Sequence, residues 1–428
     1  MRLLPITSFL LLFVSLFSPL HAWIYIDDTE DKVVQELGKP VGIIEEGEKK
    51  VLSYKGGDVT IEKGKVIEVD LVAQNDQEPP PKPVPTPTPL PAAPAAVAQN
   101  AAPPEAKPKE FVVPEVKMKA GLSQETLLME QAEAYIRALL AAEKFDELEQ
   151  IAKDLKDSQA RTTTGSWKLT NYFISIGNYS NSGIPHYQQK LEMINRWKEQ
   201  YPNSMTARLV EADIWVDMAW EARGSGYAHS VSEDGWKYFH QFLDNAQKVM
   251  LEASTLPDSN PEYYRIMMVI AMGQGVEREG FENFYQEGIK LWPGYIPLYT
   301  YKAYYLMPRW YGERGEMEGF ALELYKTHPE GKLIYSKICS YIISYYGSDF
   351  FKETDFKWKI VKDSFDGSVA DYPNSNLILN DYAYLACIAE DDKMAKQLLQ
   401  KIEGKYESRV WRDMQYYAWA RRHYQVGQ

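Results

Sequence analysis

From residue 121 to the end of the chain, apolar residues return with the period of a helix. The cleanest stripe is Trp236, Phe239, Leu243, Ala246, Met250 and Ala253, spaced 3, 4, 3, 4 and 3, which puts all six on one helix face. Residues 125–141 and 145–155 carry two further stripes around Ala142-Glu143-Lys144, predicting an antiparallel helix pair. Asn260-Pro261 is a start signal, a capping side chain followed by proline at the first helical position. Gly273, Pro293, Pro308 and Pro329 punctuate the helices that follow. Residues 295–312 place Tyr299, Tyr301, Tyr304 and Tyr305 ahead of Arg309-Trp310. So much aromatic area predicts a buried hinge between helices, since each buried ring contributes about 2–3 kcal/mol.

Before residue 76 the period is two. Residues 51–54, 59–62 and 65–72 read as strands, the last two joined by Lys63-Gly64, short enough for a two-residue hairpin. In the last strand Ile67, Val69 and Leu71 alternate with Glu68 and Asp70, which predicts that those three share the buried face. A short helix opens the region, capped at Asp28-Thr29, with Val33 and Leu37 on one face and Gly38 and Pro40 as its stop. Between the two regions, 13 of the 25 prolines fall from Pro79 to Pro114. Missing amide donors and fixed φ angles leave extended coil there, so residues 76–120 read as a disordered Pro/Ala-rich tether.

The N-terminus carries Arg2, an apolar run over residues 9–17 and a small-residue cleavage site at residues 20–22. This pattern predicts a cleaved export signal over residues 1–22. No cysteine follows the apolar run, which argues against a lipid anchor, and no other segment reaches the ~20 apolar residues of a membrane span. The expected organisation is therefore a signal (1–22), a small α+β domain of helix plus β-meander (23–75), a linker (76–120) and an α-helical domain (121–428). The protein is expected in the periplasm or outside the cell.

Three resemblances refine this reading. The helix end LGKP followed by VLSYKGGDVTIEKGKVIEVD resembles the SmpA/BamE-like envelope domains over residues 23–75, which act as adaptors. Tyr-Pro-Asn-Ser occurs at residues 201–204 and again at 372–375, each time ahead of a helix; after the second, residues 376–404 resemble a tetratricopeptide repeat with Ala383 and Ala395 at its small positions. Glu390 replaces the glycine expected at that turn, and the proline spacings fit no regular 34-residue period. The segments EKFDELEQIAKDLKDSQART, GSWKL, AWEARGSGYAHSVSEDGWKYF, MVIAMGQGVER and YYLMPRWYGE are similar to an uncharacterised family of exported helical bacterial proteins, over about residues 125–350. That resemblance implies fold and compartment only. The fold class expected is mostly α, a degenerate tetratricopeptide-like solenoid of helix pairs behind the small α+β domain.

Net charge changes the list of partners. At -13, with no basic run, the chain lacks the face that nucleic acid requires. Cys339 and Cys387 lie in apolar helical surroundings; pairing in an oxidising compartment is open to them, but burial as free thiols fits better. Neither cysteine nor histidine spacing fits a metal site, and no cofactor is implied. His186 and His328, each beside a proline, read as loop or cap residues, His240 borders the stripe begun by Trp236, and His423 lies in a basic tail segment.

The sequence contains no HExxH, GxSxG or phosphate-loop motif. One constellation stands out: Arg223, His229, Glu233, Asp234 and Trp236, joined by Glu277, Arg278, Arg309 and Trp310. His229 and Glu233 have the character of a base and its orienter, and arginines beside tryptophans suit a carboxylate or sugar acid. Against this, each arginine can pair with a local acid and cap a helix end, and aromatic residues at helical spacing are core residues. The expected function is a non-catalytic envelope scaffold that binds a protein or peptide in a helical groove. A glycan or peptidoglycan-fragment binder or hydrolase built on the Arg/Trp/His constellation is the alternative, and a structural envelope component a third. An extensive β-sheet in the C-terminal three hundred or so residues, or a deep closed cleft lined by converging ionisable groups, would end the scaffold reading.

Overall fold

The computed structural model describes residues 29–37, 39–46, 49–54, 57–71, 111–117, 123–177, 184–224, 226, 228–411 and 414–426. The expected signal and most of the expected linker lie outside the described residues. The chain divides into two compact units, Met1–Ala95 and Ala96–Gln428.

The first unit opens with α1 (Glu30–Leu37), where Lys32 N donates to Thr29 Oγ1 at 3.3 Å as an N-cap. Four strands follow, β1 (Gly42–Glu46), β2 (Lys49–Tyr54), β3 (Gly57–Glu62) and β4 (Lys65–Leu71), each antiparallel to the next in the order β1-β2-β3-β4. The β3–β4 turn is Lys63-Gly64, both at positive φ, as the right-handed twist of a two-residue hairpin requires. Val33, Leu52, Val59, Ile61 and Val66 form the core.

Ile67 corrects the alternation read from the sequence. The register shifts between Thr60 and Ile61, so Val66 faces Ile61 while Val69 faces Val59. An extra residue in β4 changes the phase of the strand, burying Val66 and leaving Ile67 42% exposed.

The second unit is helical among its described residues. Its helices are α2 (Gln124–Ala141), α3 (Phe145–Ser158), α4 (Lys168–Gly177), α5 (Ile184–Gln200), α6 (Met205–Arg223), α7 (Glu233–Ser254), α8 (Pro261–Gly273), α9 (Arg278–Leu291) and α10 (Ile296–Tyr305). They continue with α11 (Glu316–Thr327), α12 (Gly331–Tyr346), α13 (Phe350–Glu353), α14 (Trp358–Asp371), α15 (Asn376–Ile388), α16 (Asp392–Ile402), α17 (Ser408–Trp411) and α18 (Met414–His423). Local signals fix most starts. Ser204 and Ser375, the serines of the repeated Tyr-Pro-Asn-Ser, cap α6 and α15, accepting from Ala207 N (2.8 Å) and Ile378 N (3.2 Å). Asn260 caps α8 with Pro261 behind it. The α7 stripe is buried from Phe239 to Ala253, with Trp236 half-buried at its head. Ala383 and Ala395 are fully buried on the packed pair α15 and α16, and the intervening Glu390 adopts φ 56°, the left-handed turn that a glycine would fill more cheaply.

One helix of each successive pair packs on its counterpart in the next. The contacts run α2 to α4, α4 to α6, α6 to α8, α8 to α10 and α10 to α12, while Ser340 Oγ of α12 donates to Asp381 of α15 at 2.7 Å. α15 then returns to α2. Two buried carboxylates fasten this return. Glu125 accepts from Ser375 Oγ and Leu377 N, both at 2.9 Å. Glu407 accepts from Ser123 Oγ (2.7 Å), Thr126 Oγ1 (2.6 Å) and Asn376 Nδ2 (2.9 Å). These acids lie at the first turns of α2 and α15, where free N–H groups and the helix dipole favour negative charge. The hinge read in residues 295–312 is buried at Tyr295, Tyr299, Tyr305, Leu306 and Met307, with Tyr301 and Tyr304 half-buried.

Candidate functional site

α6 ends at Arg223, and three tryptophans surround its guanidinium. Trp220 comes from the preceding turn, Trp236 from the first turns of α7, and Trp310 from the loop after α10. The ring centroids lie 5.6, 5.3 and 5.5 Å from the guanidinium carbon. Arg223 Nη1 also donates to Gly226 O at 3.1 Å. Ring faces and helix-end carbonyls both carry negative partial charge, so a cation at this C-terminus is stabilised twice. Arg309 lies over Trp310 and Tyr345, at 5.6 and 5.9 Å.

The structure thus gathers Arg223, Trp236, Arg309 and Trp310, and adds Trp220. It holds Arg278 differently: at the start of α9, in an ion pair with Glu316 on the exposed surface. Glu233 and Asp234 are exposed in the first turn of α7, where acids complement the dipole. Glu277 occupies the N-cap position of α9. His229 belongs to the 3-10 turn Ala228–Ser230, and its side chain lies outside the described residues. His328 caps α11: its Nδ1 accepts from Glu330 N at 3.0 Å and its Nε2 meets Tyr299 OH at 3.2 Å.

A second cluster was not anticipated. Asp213 and Asp217 lie one turn apart on α6, and Arg265 of α8 bridges Asp213 (2.5 Å) and Glu262 (2.6 Å). The Arg265 guanidinium also covers the Tyr301 ring at 5.3 Å, and Tyr295 OH donates to the far oxygen of Glu262 at 2.5 Å. Burial raises the Glu262 carboxyl above the usual carboxylate range, against the pull of Arg265. Beside this network Lys190 of α5 is 1% exposed and donates to Ile176 O (2.7 Å) and Gly177 O (3.2 Å), the last carbonyls of α4. Burial lowers its ammonium to about 7, with Asp217 opposing. Asp217 goes the other way: burial, then the charge of Asp213, pushes its carboxyl up to about 8.

The line of polar and aromatic side chains continues from helix to helix. Tyr301 of α10 meets Tyr341 of α12 at 5.8 Å, and the neighbouring Ser340 reaches Asp381 of α15. Lys337, one turn before on α12, is lowered to about 8 by burial, with Asp381 and Glu125 opposing.

Residues 159–167 close one end of this circuit. Arg161 pairs with Glu330 ahead of α12 at 2.8 Å, Thr163 donates to Glu125 of α2, and Trp167 packs edge-on against Trp292 and Tyr295 ahead of α10. Gly165, at φ +82°, lies so near the Tyr372 ring ahead of α15 that a Cβ would come within 2.7 Å of it. The loop therefore reaches the N-terminal ends of helices on opposite sides of the circuit and crosses between them. The arginine with its tryptophans belongs to the C-terminal ends.

Among the described residues no group of His, Cys, Asp or Glu could hold a metal ion, and no helix is long and apolar enough to cross a membrane. Cys339 and Cys387 are buried free thiols.

Residues 132–275 match a family model described as a domain of unknown function, DUF4034. The match runs from within α2 to just past α8, so it spans Asp213, Asp217, Arg223, Trp236 and Arg265 but not Arg278, Arg309 or Trp310. No curated protein and no solved structure matches the chain. A sequence signal for the missed cluster exists: Arg265 is the lone charge in YYRIMMVIAM, and Asp213 and Asp217 share one face of the otherwise apolar ADIWVDMAW.

Proposed function

We propose that the helical unit is a tetratricopeptide-like array of helix pairs whose inner face holds a peptide or a segment of a partner protein, as a non-catalytic adaptor of the cell envelope. The observation that carries this reading is the run of contacts Asp213–Arg265–Tyr301–Tyr341 over α6, α8, α10 and α12, with Ser340, next to Tyr341 in the chain, reaching Asp381 of α15. Polar and aromatic side chains on neighbouring helices offer an extended segment both hydrogen bonds and flat apolar faces. The export pattern at the N-terminus supports a location in the periplasm or outside the cell.

Photo-crosslinking tests this. A crosslinking side chain at Tyr341 should join the exported protein to a defined polypeptide, whereas one at Leu251, on the exposed side of α7, should not. Equal yields at both positions would refute the assignment of the inner face.

A second reading has one observation in its favour. Asp217, held toward its protonated form by burial, lies one turn from Asp213, which pairs with Arg265, so two carboxyls of different surroundings adjoin. Hydrolysis of a peptidoglycan fragment, lost in Asp217→Asn, would move the protein into that class.

A further inference from the structure

We propose that the outward face of α18 is a docking surface for an anionic phospholipid bilayer. This face belongs to other helices than the inner face and does not depend on what the inner face holds.

The two sides of α18 differ. Tyr417 and Ala420 are buried, with Tyr417 packed on Trp411 at 4.9 Å and on Tyr406 at 5.2 Å. Steps of four along the helix gather Met414, Ala418 and Arg422, and beside them Gln415, Trp419 and His423, on the opposite side. Met414 is 55% exposed and Trp419 43% exposed. The Trp419 ring stacks with Tyr416 at 5.4 Å and with His423 at 4.8 Å, which fixes its position before anything binds. A solvated helix face is ordinarily built from charges of both signs, a turn apart. α18 contains no acid, and its outward side displays an indole.

The surroundings are basic. From residue 393 onward eight lysines and arginines stand against three acids, a local excess of +5 in a chain of net charge -13. Of those acids, Glu407 is buried against α2 and Glu403 pairs with Lys405 at 3.5 Å. Arg421 Nη1 lies 3.6 Å from the place of a Cβ on Gly404, so the turn that carries Lys405 adjoins the last turn of α18. Among the described residues Lys401 and Arg422, both exposed, form no ion pair.

An anionic bilayer complements this face in charge and in chemistry. Its headgroups attract lysine and arginine over a Debye length of about 10 Å, and a guanidinium takes phosphate oxygens in pairs. An indole settles at headgroup depth, because its ring is apolar and its N–H still finds an acceptor there. The acidic remainder of the chain is repelled by the same surface, which leaves the basic end to approach first. A fluid surface also meets the convex side of a helix without needing a matching shape. With Met414 and Trp419 as the large apolar side chains on this face, the contact is reversible docking rather than anchorage.

The test sediments the exported full chain with phosphatidylcholine vesicles, with and without phosphatidylglycerol. The anionic vesicles should carry down about tenfold more protein at low salt, and high salt should abolish the difference. Arg422→Glu and Trp419→Ala should each lower that binding several-fold, with thermal unfolding as the check on the fold. Lys248→Glu, the same charge change at an exposed position of α7, should leave binding as in wild type. Equal sedimentation with the two kinds of vesicle, or equal losses in Lys248→Glu and Arg422→Glu, overturns the proposal. So does wild-type binding by both α18 variants. Retention on polyglutamate beads without retention by vesicles would assign the face to an acidic protein segment instead. None of these outcomes bears on crosslinking at Tyr341, so the two readings fail separately.

Discussion

Asp217 departs far from what its residue type prefers, and its cost can be measured. In the unfolded chain its carboxyl ionises near pH 4, whereas in the folded chain it keeps its proton up to about pH 8. Between those values the folded state binds the extra proton, so this residue's contribution to stability is unimpaired below about pH 4, falls through the window and stays low above about pH 8. Asp217→Asn should match wild type near pH 4 and exceed it near pH 8 by at most about 5 kcal/mol. Urea titrations of the two proteins at both pH values check this; a variant less stable at pH 8 would show that the carboxylate is a structural partner. Arg223 is the opposite case: its three indoles and the Gly226 carbonyl use the faces and edges that a ligand would need.

Among the elements, the return of α15 and α17 to α2 depends on very few side chains. Glu407 precedes α17 and accepts from both the capping serine of α2 and the amide of Asn376 in α15. Glu407→Ala leaves Ser123, Thr126 and Asn376 without their acceptor in a buried place, at a cost of about 3 kcal/mol. Hydrogen exchange should then accelerate in α2, α15 and α17 and remain unchanged in α7 and α8, which are packed far along the circuit. Uniform acceleration would mean that the unit unfolds as a whole rather than from this seam. Elements were also the scale at which sequence patterns served best. Ser204, Ser375 and Asn260 cap the helices they announce, because capping is satisfied within a few residues. The β4 alternation failed at Ile67, because a bulge is decided by pairing with β3.

For the whole molecule, the two compact units differ greatly in the size of their cores. Among the described residues the first buries the apolar side chains Val33, Leu52, Val59, Ile61 and Val66, a core that is marginal for independent stability. Calorimetry of the full chain should resolve a small low-temperature transition ahead of the main one, and Val59→Ala should shift only the small one by several degrees. A single transition shifted by that substitution would show the units to be thermodynamically joined.

The sequence by itself determined the division into a period-two region and a period-3.6 region, the caps and the helix stops, because periodicity and capping depend on neighbours along the chain. It also drew Arg223, Trp236 and Trp310 into one constellation, since arginine and tryptophan in helical surroundings are conspicuous. Only the tertiary structure decided that Glu125 and Glu407 join the two ends of the helical unit, and that Asp213 and Asp217 share a space with Arg265 and Lys190. Those groupings span up to about 280 residues of sequence, and no local rule fixes which charge an interior will leave without a partner.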